Sequence, residues 1–597
     1  MAKETLESIE KQELSLEKEL EEKLYNRNTH KFGVDLNPVV SLSTIGIIIL
    51  LTVYVFVSQQ GWFGLSPAIE TFNKMTTWIV TNMDWVFILS GNFFVILAIY
   101  LAVSKLGRIR IGGLQAKPEF TNFAWYSMLI SAGMGIGLMF WAVGEPLTHL
   151  NVRPPIFDSA DGPAQAMAAT FLHWGLHPWA IYAVLALALA YFAYNKKLPL
   201  SLRSIFYPLF KEKVFGRLGD VIDVIAVLAT LFGLATSLGL GVQQMNGGMN
   251  YLFGIPISTF FQVVLIILIT GIATISILSG IDKGVKVLSE WNMRIAGTFM
   301  VLIFLLGPTI YIIRLFSNSL GLYIGQLIPS AFFINTGDGD AGAWQGAWTV
   351  FYLAWWVSWS PFVAMFIARV SKGRTIREFI LAVLLVPSLL SFVWLSVFGG
   401  TAMHVDAQSG GALFGVVQSD YSIALFEMIQ RLDIGVLKGV VSIVLSVIGT
   451  VLVISFFVTS SDSGSIVVNS ITSGGRLKTP ARQRVFWAGL EGFVAALLLI
   501  IGGNQALGAL QAAVIATGLP FAIIILIMSV LLIFSLQKTY RRQKRLTDEQ
   551  MVLRAIEDSA LDIDMEPVYR EERKRKEKIK RDQKRREKEE KARNASI

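Results

Sequence analysis

The 597-residue chain contains no cysteine. That absence excludes disulfides, thiol nucleophiles and thiolate metal sites. Histidine is scarce as well, with only His30, His149, His173, His177 and His404, and no pair has the HExxH spacing of a zinc hydrolase. His173 and His177 are spaced i,i+4 with no acidic residue near them in sequence, so packing or hydrogen bonding is the expected role. No GxxxxGK[ST] stretch exists to cradle a nucleotide phosphate, which argues against ATP-driven work by this chain. No nucleophile–base pair or metal constellation appears either. The sequence therefore points away from an enzyme, needs no cofactor, and carries nothing that suggests nucleic-acid binding.

Charge is the other shortage. Only 16% of residues are charged against 53% hydrophobic, and the mean hydropathy is +0.56. Apolar runs of about 20 residues recur, enough for a helix to cross a hydrocarbon core of roughly 30 Å. Runs of that length in a membrane are helices, because only a helix satisfies its own backbone. About twelve spans are predicted: 40–59, 84–104, 122–144, 165–194, 219–246, 257–279, 296–316, 343–370, 377–399, 437–460, 485–502 and 507–536. Basic residues collect in alternate loops, for example Lys105 and Arg108, Lys196 and Lys197, Lys283 and Lys286, Lys372 and Arg374, and Arg482 and Arg484. Retention of positive loops places both termini in the cytoplasm.

Residues 1–39 form an extension rich in Glu and Lys, without the short basic start and cleavage site of a signal peptide. Residues 537–597 form a basic tail, ending "REERKRKEKIKRDQKRREKEEKAR". Two readings stand: a solvated helix or disordered segment, or a polybasic strip attracted to anionic lipid by about 1 kcal/mol per basic residue. "NSLGLYIGQLIPSAFF" and "YSIALFEMIQRL" have the spacing of helices at the membrane boundary.

Four stretches carry residues suited to a site. "SAGMGIGLMF" (Ser131–Phe140) places Gly133, Gly135 and Gly137 at alternate positions, each costing a helix up to about 1 kcal/mol. Gly133 and Gly137 would suit close helix packing. The third glycine favours instead an unwound stretch whose free backbone faces a ligand. "HWGLHPWAIY" carries Trp174, Trp179 and Tyr182, with a kink expected at Pro178. These aromatics are either a belt at the membrane surface or part of a site.

"FYLAWWVSWSP" places Trp355, Trp356 and Trp359 on one apolar helix, with distortion expected at Pro361. The tryptophans serve either as bulk packing or, with no acidic side chain beside them, as a cage for a quaternary ammonium held by ring faces. An acidic group in hydrocarbon would be costly, and a cage avoids it. "FFVTSSDSGS" offers Thr459 and Ser460 as oxygen ligands for Na⁺, or as hydroxyls bonded to their own helix. Asp462 is expected at a cytoplasmic helix end as a gate or cap.

These stretches, in this order and in these spans, resemble the bacterial betaine/carnitine/choline transporters over about residues 35–540. "AWTVFYLAWW" (Ala347–Trp356) is similar to the family's signature, with Ala347 where Gly, Ser, Asp or Asn is usual and Leu353 where Trp is usual. "SGIDKGVKVLSEWNM" (Ser279–Met293) resembles a second family segment. The resemblance implies an all-α polytopic protein with two inverted five-helix repeats, about 122–316 and 343–536, after two extra spans, assembled as a homotrimer.

By the same resemblance the cage is Trp174, Trp179, Tyr182 and Trp356. Gly133, Met134, Gly135 and Gly137 line the unwound segment, with Ser237 also at the substrate, while Trp355, Trp359 and Phe362 line the path. One Na⁺ is implied between Ser131, Met134, Phe456, Thr459 and Ser460. A second is implied at Thr230 and Phe362, but its other threonine position is Leu234, which has no side-chain oxygen and argues against two sodium ions. Glycine at 137 favours betaine and sodium over choline and protons. The expectation is sodium symport of glycine betaine or a related solute by alternating access. The rival is proton-coupled transport or exchange of choline, carnitine, sulfonium or ectoine-type solutes.

Overall fold

The computed structural model describes residues 27–559 apart from 134, 280, 338, 477 and 478, together with 22, 574, 577, 581 and 585. Side chains are not described at 32, 132, 133, 276–289, 504, 542 and 545–559. Most of the basic tail and Met134 thus lie outside the described residues, as do most of the side chains of Ser279–Met293. The chain divides into two units, Met1–Phe534 and Ser535–Ile597. The site and its supports lie in the first.

The long helices are α1 (Pro38–Gln59), α2 (Ala68–Val103), α3 (Asn122–Gly133), α4 (Ile136–Asn151), α5 (Gly162–Trp174), α6 (Leu176–Ala190), α7 (Arg217–Phe253) and α8 (Thr259–Ser279). They continue as α9 (Ile281–Leu306), α10 (Thr309–Ala331), α11 (Phe351–Val370), α12 (Ile376–Gln408), α13 (Lys438–Thr472), α14 (Ala481–Gly502) and α15 (Ala506–Ser559). Among the described residues, extended pairing is confined to two isolated bridges, Thr29 with Leu36 and Arg110 with Thr375. Nine segments are long and apolar enough to cross a membrane, or up to eleven if each of two bent pairs is one crossing, among the described residues. Thr259–Ile275 is a shorter apolar helix. The chain is thus a multi-pass helical membrane protein, with nine to eleven candidate crossings among the described residues beside the twelve or so expected.

Helix starts follow from capping chemistry. Asn37 Oδ1 accepts from the amides of Val39 and Val40, just ahead of Pro38, and Asp161 Oδ1 accepts from Ala164. Thr375 and Glu378 close a reciprocal capping box at the start of α12.

Prolines and glycines place the breaks, not always where the sequence suggests. The run 296–316 is not one span: Pro308 cannot donate to the carbonyl of Phe304, whose partner becomes Thr309 Oγ1 at 2.7 Å. α9 and α10 consequently meet at 108°. In the run 165–194 the helix breaks at Gly175 (φ −96, ψ −123) rather than at Pro178. A Cβ at Gly175 would lie 2.6 Å from Phe171 O and from the Phe392 ring. Pro178 becomes the third residue of α6, where its missing N–H would have had no intrahelical partner anyway. Pro361 leaves α11 continuous, because Ser360 Oγ donates to the carbonyl of Val357 that the proline vacates (2.6 Å). The irregularity there is instead a π-helical turn at Gly346–Val350.

An ionic cluster ties the N-terminal segment to the foot of α7. Arg203, fully buried, donates to Asp223 (2.7 Å) and Asp220 (3.1 Å). Arg27 and Asn37 also donate to Asp220. Replacing Arg203 with Met removes the guanidinium paired with Asp223 and leaves the charge of a buried carboxylate uncompensated, a change worth about 3–5 kcal/mol. The thermal midpoint of Arg203→Met in detergent is expected to fall clearly; an unshifted midpoint would contradict the role given to this cluster.

Candidate functional site

Two helix breaks converge on one cavity. α3 and α4 meet at 64°, with Gly135 extended between them (φ −167, ψ −170) and no side chain capping α4. The first amides of α4 are therefore left without intrahelical acceptors. α5 ends at Trp174, which frees the carbonyl of His173. Trp356 Nε1 donates to that carbonyl at 2.9 Å, fixing α11 against the end of α5.

Trp174, Trp179, Tyr182, Trp355, Trp356 and Trp359 all line this cavity, together with Gly135, Gly137, Ser237 and Ser391. Trp174 lies edge-on to Trp356 at 4.9 Å, Tyr182 edge-on to Trp356 at 6.5 Å, and Trp355 stacks on Trp356 at 4.9 Å. The glycines give these rings room. A Cβ at Gly137 would lie 2.8 Å from Trp355 and 3.0 Å from Trp174, and one at Gly135 would lie 3.8 Å from Trp359. The free space is about 30 Å3, room for a water or two. Trp355 Nε1, Trp359 Nε1 and Tyr182 Oη are buried and make no hydrogen bond among the described residues. Phe362 packs on Trp359 at 5.3 Å.

The expectation that no acid lies near the aromatics or His173 is overturned. Glu145, fully buried on α4, accepts from Trp174 Nε1 (2.7 Å), His173 Nδ1 (2.7 Å) and Tyr352 Oη (2.5 Å). His149 Nε2 lies 3.4 Å from the same carboxylate without hydrogen-bond alignment. The predicted span 122–144 ends one residue before this acid. The available signal was the i,i+4 pair Glu145 and His149 inside an otherwise apolar stretch.

Glu145, His149 and His173 have ligand atoms within 4.8 Å of one another, the spacing of a metal site. The hydrogen bonds argue otherwise. Trp344 Nε1 donates to Nδ1 of His149 at 3.4 Å, so the ring proton sits on Nε2, the nitrogen a metal would need free. His177, the other histidine of the pair, bonds Asn92 Oδ1 at 3.0 Å and belongs to packing against α2.

Of the residues expected at sodium, Thr459 and Thr230 bond within their own helices. Thr459 Oγ1 donates to the carbonyls of Ser455 (3.0 Å) and Phe456 (3.2 Å) of its own helix and accepts from Asn292 at 3.3 Å. Ser131 and Ser460 are half-buried, and Met134 is outside the described residues. Thr230 donates to Ala226 O of its own helix at 2.7 Å. Leu234 is buried where a Cβ on Gly464 would come within 2.5 Å of it, so that position is apolar packing. Asp462, expected at a helix end, is buried inside α13. Leu353, where tryptophan is usual, has a methyl 3.0 Å from where a Cβ on Gly91 of α2 would stand.

The sequence matches the model of the BCCT, betaine/carnitine/choline family transporter, over residues 39–541. It is 47% identical over 522 residues to glycine betaine transporter 1 of Vibrio parahaemolyticus, covering 86% of this chain and 96% of that protein. A glycine betaine/proline/choline/ectoine transporter of the same organism is 45% identical over 526 residues, 85% of this chain and 89% of that protein. A glycine betaine transporter of Acinetobacter baylyi is 40% identical over 527 residues, 88% of this chain and 77% of that protein.

The close approach of Leu353 to Gly91 predicts that Leu353→Trp overfills the α2–α11 contact, at about 1–3 kcal/mol. The thermal midpoint of that variant should fall; an unchanged or raised midpoint would show that α2 yields without strain.

Proposed function

Since the chain belongs to the betaine/carnitine/choline family of transporters, we propose that it imports glycine betaine or a related quaternary-ammonium solute by sodium symport with alternating access. The observation that carries this reading is the cavity between the α3–α4 and α5–α6 breaks, walled by five indoles and a phenol. A quaternary ammonium donates no strong hydrogen bond, and its spread charge is attracted to ring faces. Trp174, Trp179, Tyr182 and Trp356 form the cage in this proposal, with Trp355 and Trp359 beside it. A zwitterion's carboxylate suits the uncapped start of α4, where amides and the dipole favour an anion, and the unpaired donors of Trp355, Trp359 and Tyr182.

Sodium is assigned to Ser131, Met134, Phe456, Thr459 and Ser460. A second ion at Thr230 and Phe362 is disfavoured by the apolar packing of Leu234. Relatives named for betaine, proline, choline and ectoine support solutes of this class. The protein in this proposal is a homotrimer in the bacterial inner membrane with both termini cytoplasmic, and it serves in osmotic stress. Its basic tail meets anionic lipid. The competing reading, proton coupling or exchange of choline- or carnitine-type solutes, draws on the breadth of substrates named among the relatives.

Proteoliposomes separate the two. Uptake of labelled glycine betaine should be concentrative with an inward sodium gradient and fall to near background without it; uptake indifferent to sodium would overturn the coupling. Trp356→Leu should lower betaine affinity at least tenfold in folded protein, and unaltered affinity would remove Trp356 from the cage. Truncation after Lys544 should abolish activation by high osmolality while leaving substrate affinity unchanged; a retained osmotic response would refute a role for the tail.

A further inference from the structure

A carboxyl group is buried directly behind the cage. The hydrogen bonds around Glu145 constrain the protonation of its neighbours. His149 accepts at Nδ1 from Trp344, so its proton sits on Nε2, facing Glu145. His173 turns Nδ1 to Glu145 and Nε2 to Thr349 Oγ1 at 3.1 Å. A neutral His173 that donates to Glu145 from Nδ1 accepts the Thr349 hydroxyl at Nε2. Both imidazoles are then neutral donors, as are the indole of Trp174 and the phenol of Tyr352. The carboxyl group is thus surrounded by donors, and both its oxygens accept. Among the described residues no Lys or Arg makes an ion pair with it, so with the carboxyl ionised and both imidazoles neutral the cluster carries a net charge of about −1.

We propose that Glu145 is the counter-charge of the aromatic cage, a specificity-determining residue that attracts the substrate's ammonium through Trp174 without touching it. Its Oε2 accepts the Trp174 N–H at 2.7 Å, on the far edge of a ring that walls the cavity. A carboxylate in that place pushes electron density into the indole and deepens the negative potential over its face, on which cation–π attraction depends. Burial leaves the charge little screened. The same carboxylate also holds Tyr352, which stacks on Trp356 at 5.7 Å, so the charge and the geometry of the cage have one source. The consequence is selectivity by charge at constant shape. A quaternary ammonium is favoured over a neutral molecule of the same outline, although no acidic oxygen lines the cavity.

This inference rests on the quaternary-ammonium reading above, and the test keeps the two apart. Tryptophan-fluorescence titration of purified protein would compare choline with 3,3-dimethyl-1-butanol, its uncharged carbon isostere. In the wild type choline should bind at least about tenfold more tightly than the isostere. In Glu145→Gln, which keeps the size and an acceptor for Trp174, that preference should shrink about tenfold, mainly through weaker choline binding. Glu145→Asp, with the charge retained, should keep the preference even where both affinities fall. If Glu145→Gln does not yield folded protein, Trp174→Phe decides: it keeps a ring in the wall, loses the link to the carboxylate, and should lose preference severalfold. An equal loss for both ligands, or an unchanged preference in the folded variants, would overturn the inference while leaving the substrate reading standing. Failure of wild-type protein to bind choline or glycine betaine would overturn both.

Discussion

A carboxylate buried among apolar helices persists only if its hydrogen-bonding demand is met in place. Glu145 meets it with His173 and Trp174 from the end of α5 and Tyr352 from α11, with His149 from its own helix in contact. Those partners fix α4, α5 and α11 against one another at a single level of the bundle. The aromatic cavity is the other side of that junction. Trp174 belongs to both, donating its N–H to Glu145 and giving its ring to the cavity wall.

The second constraint is backbone accounting in an apolar surround. Each interrupted helix frees polar groups, and in most cases a neighbour takes them up. Trp356 takes the carbonyl of His173, Ser360 takes that of Val357, and Thr309 takes that of Phe304. The start of α4 is the exception, with no side chain at its amides and three unpaired ring donors among the residues lining the same cavity. Unpaired donors thus line the cavity in which the proposed zwitterion's carboxylate would be received.

Much of this is legible in the sequence, because its signals are local. Three tryptophans within five residues of an apolar helix, glycines at 133, 135 and 137, and a Gly–Pro pair of breakers beside Trp174 and Trp179 each mark an irregular or aromatic position on their own. Glu145 escapes because its meaning is tertiary. His173 is 28 residues away and Tyr352 is 207, and no local pattern pairs them. The position of the helix break at Gly175 depends on Phe392 of α12 filling the space a Cβ would need. Leu353, anomalous beside the family signature, makes sense only with Gly91 of α2 in view. The Arg27–Asp220–Arg203 cluster likewise joins segments that no periodicity connects.

The central claim is that these rings enclose the substrate's quaternary ammonium. A cryo-electron microscopy map of the protein with saturating glycine betaine tests it most directly. The account predicts density for the trimethylammonium group among Trp174, Trp179, Tyr182 and Trp356, with the carboxylate toward the start of α4. Density in the apolar cavity at Met300, Phe304 and Phe316 instead, or an aromatic cavity unchanged by saturating ligand, would contradict it.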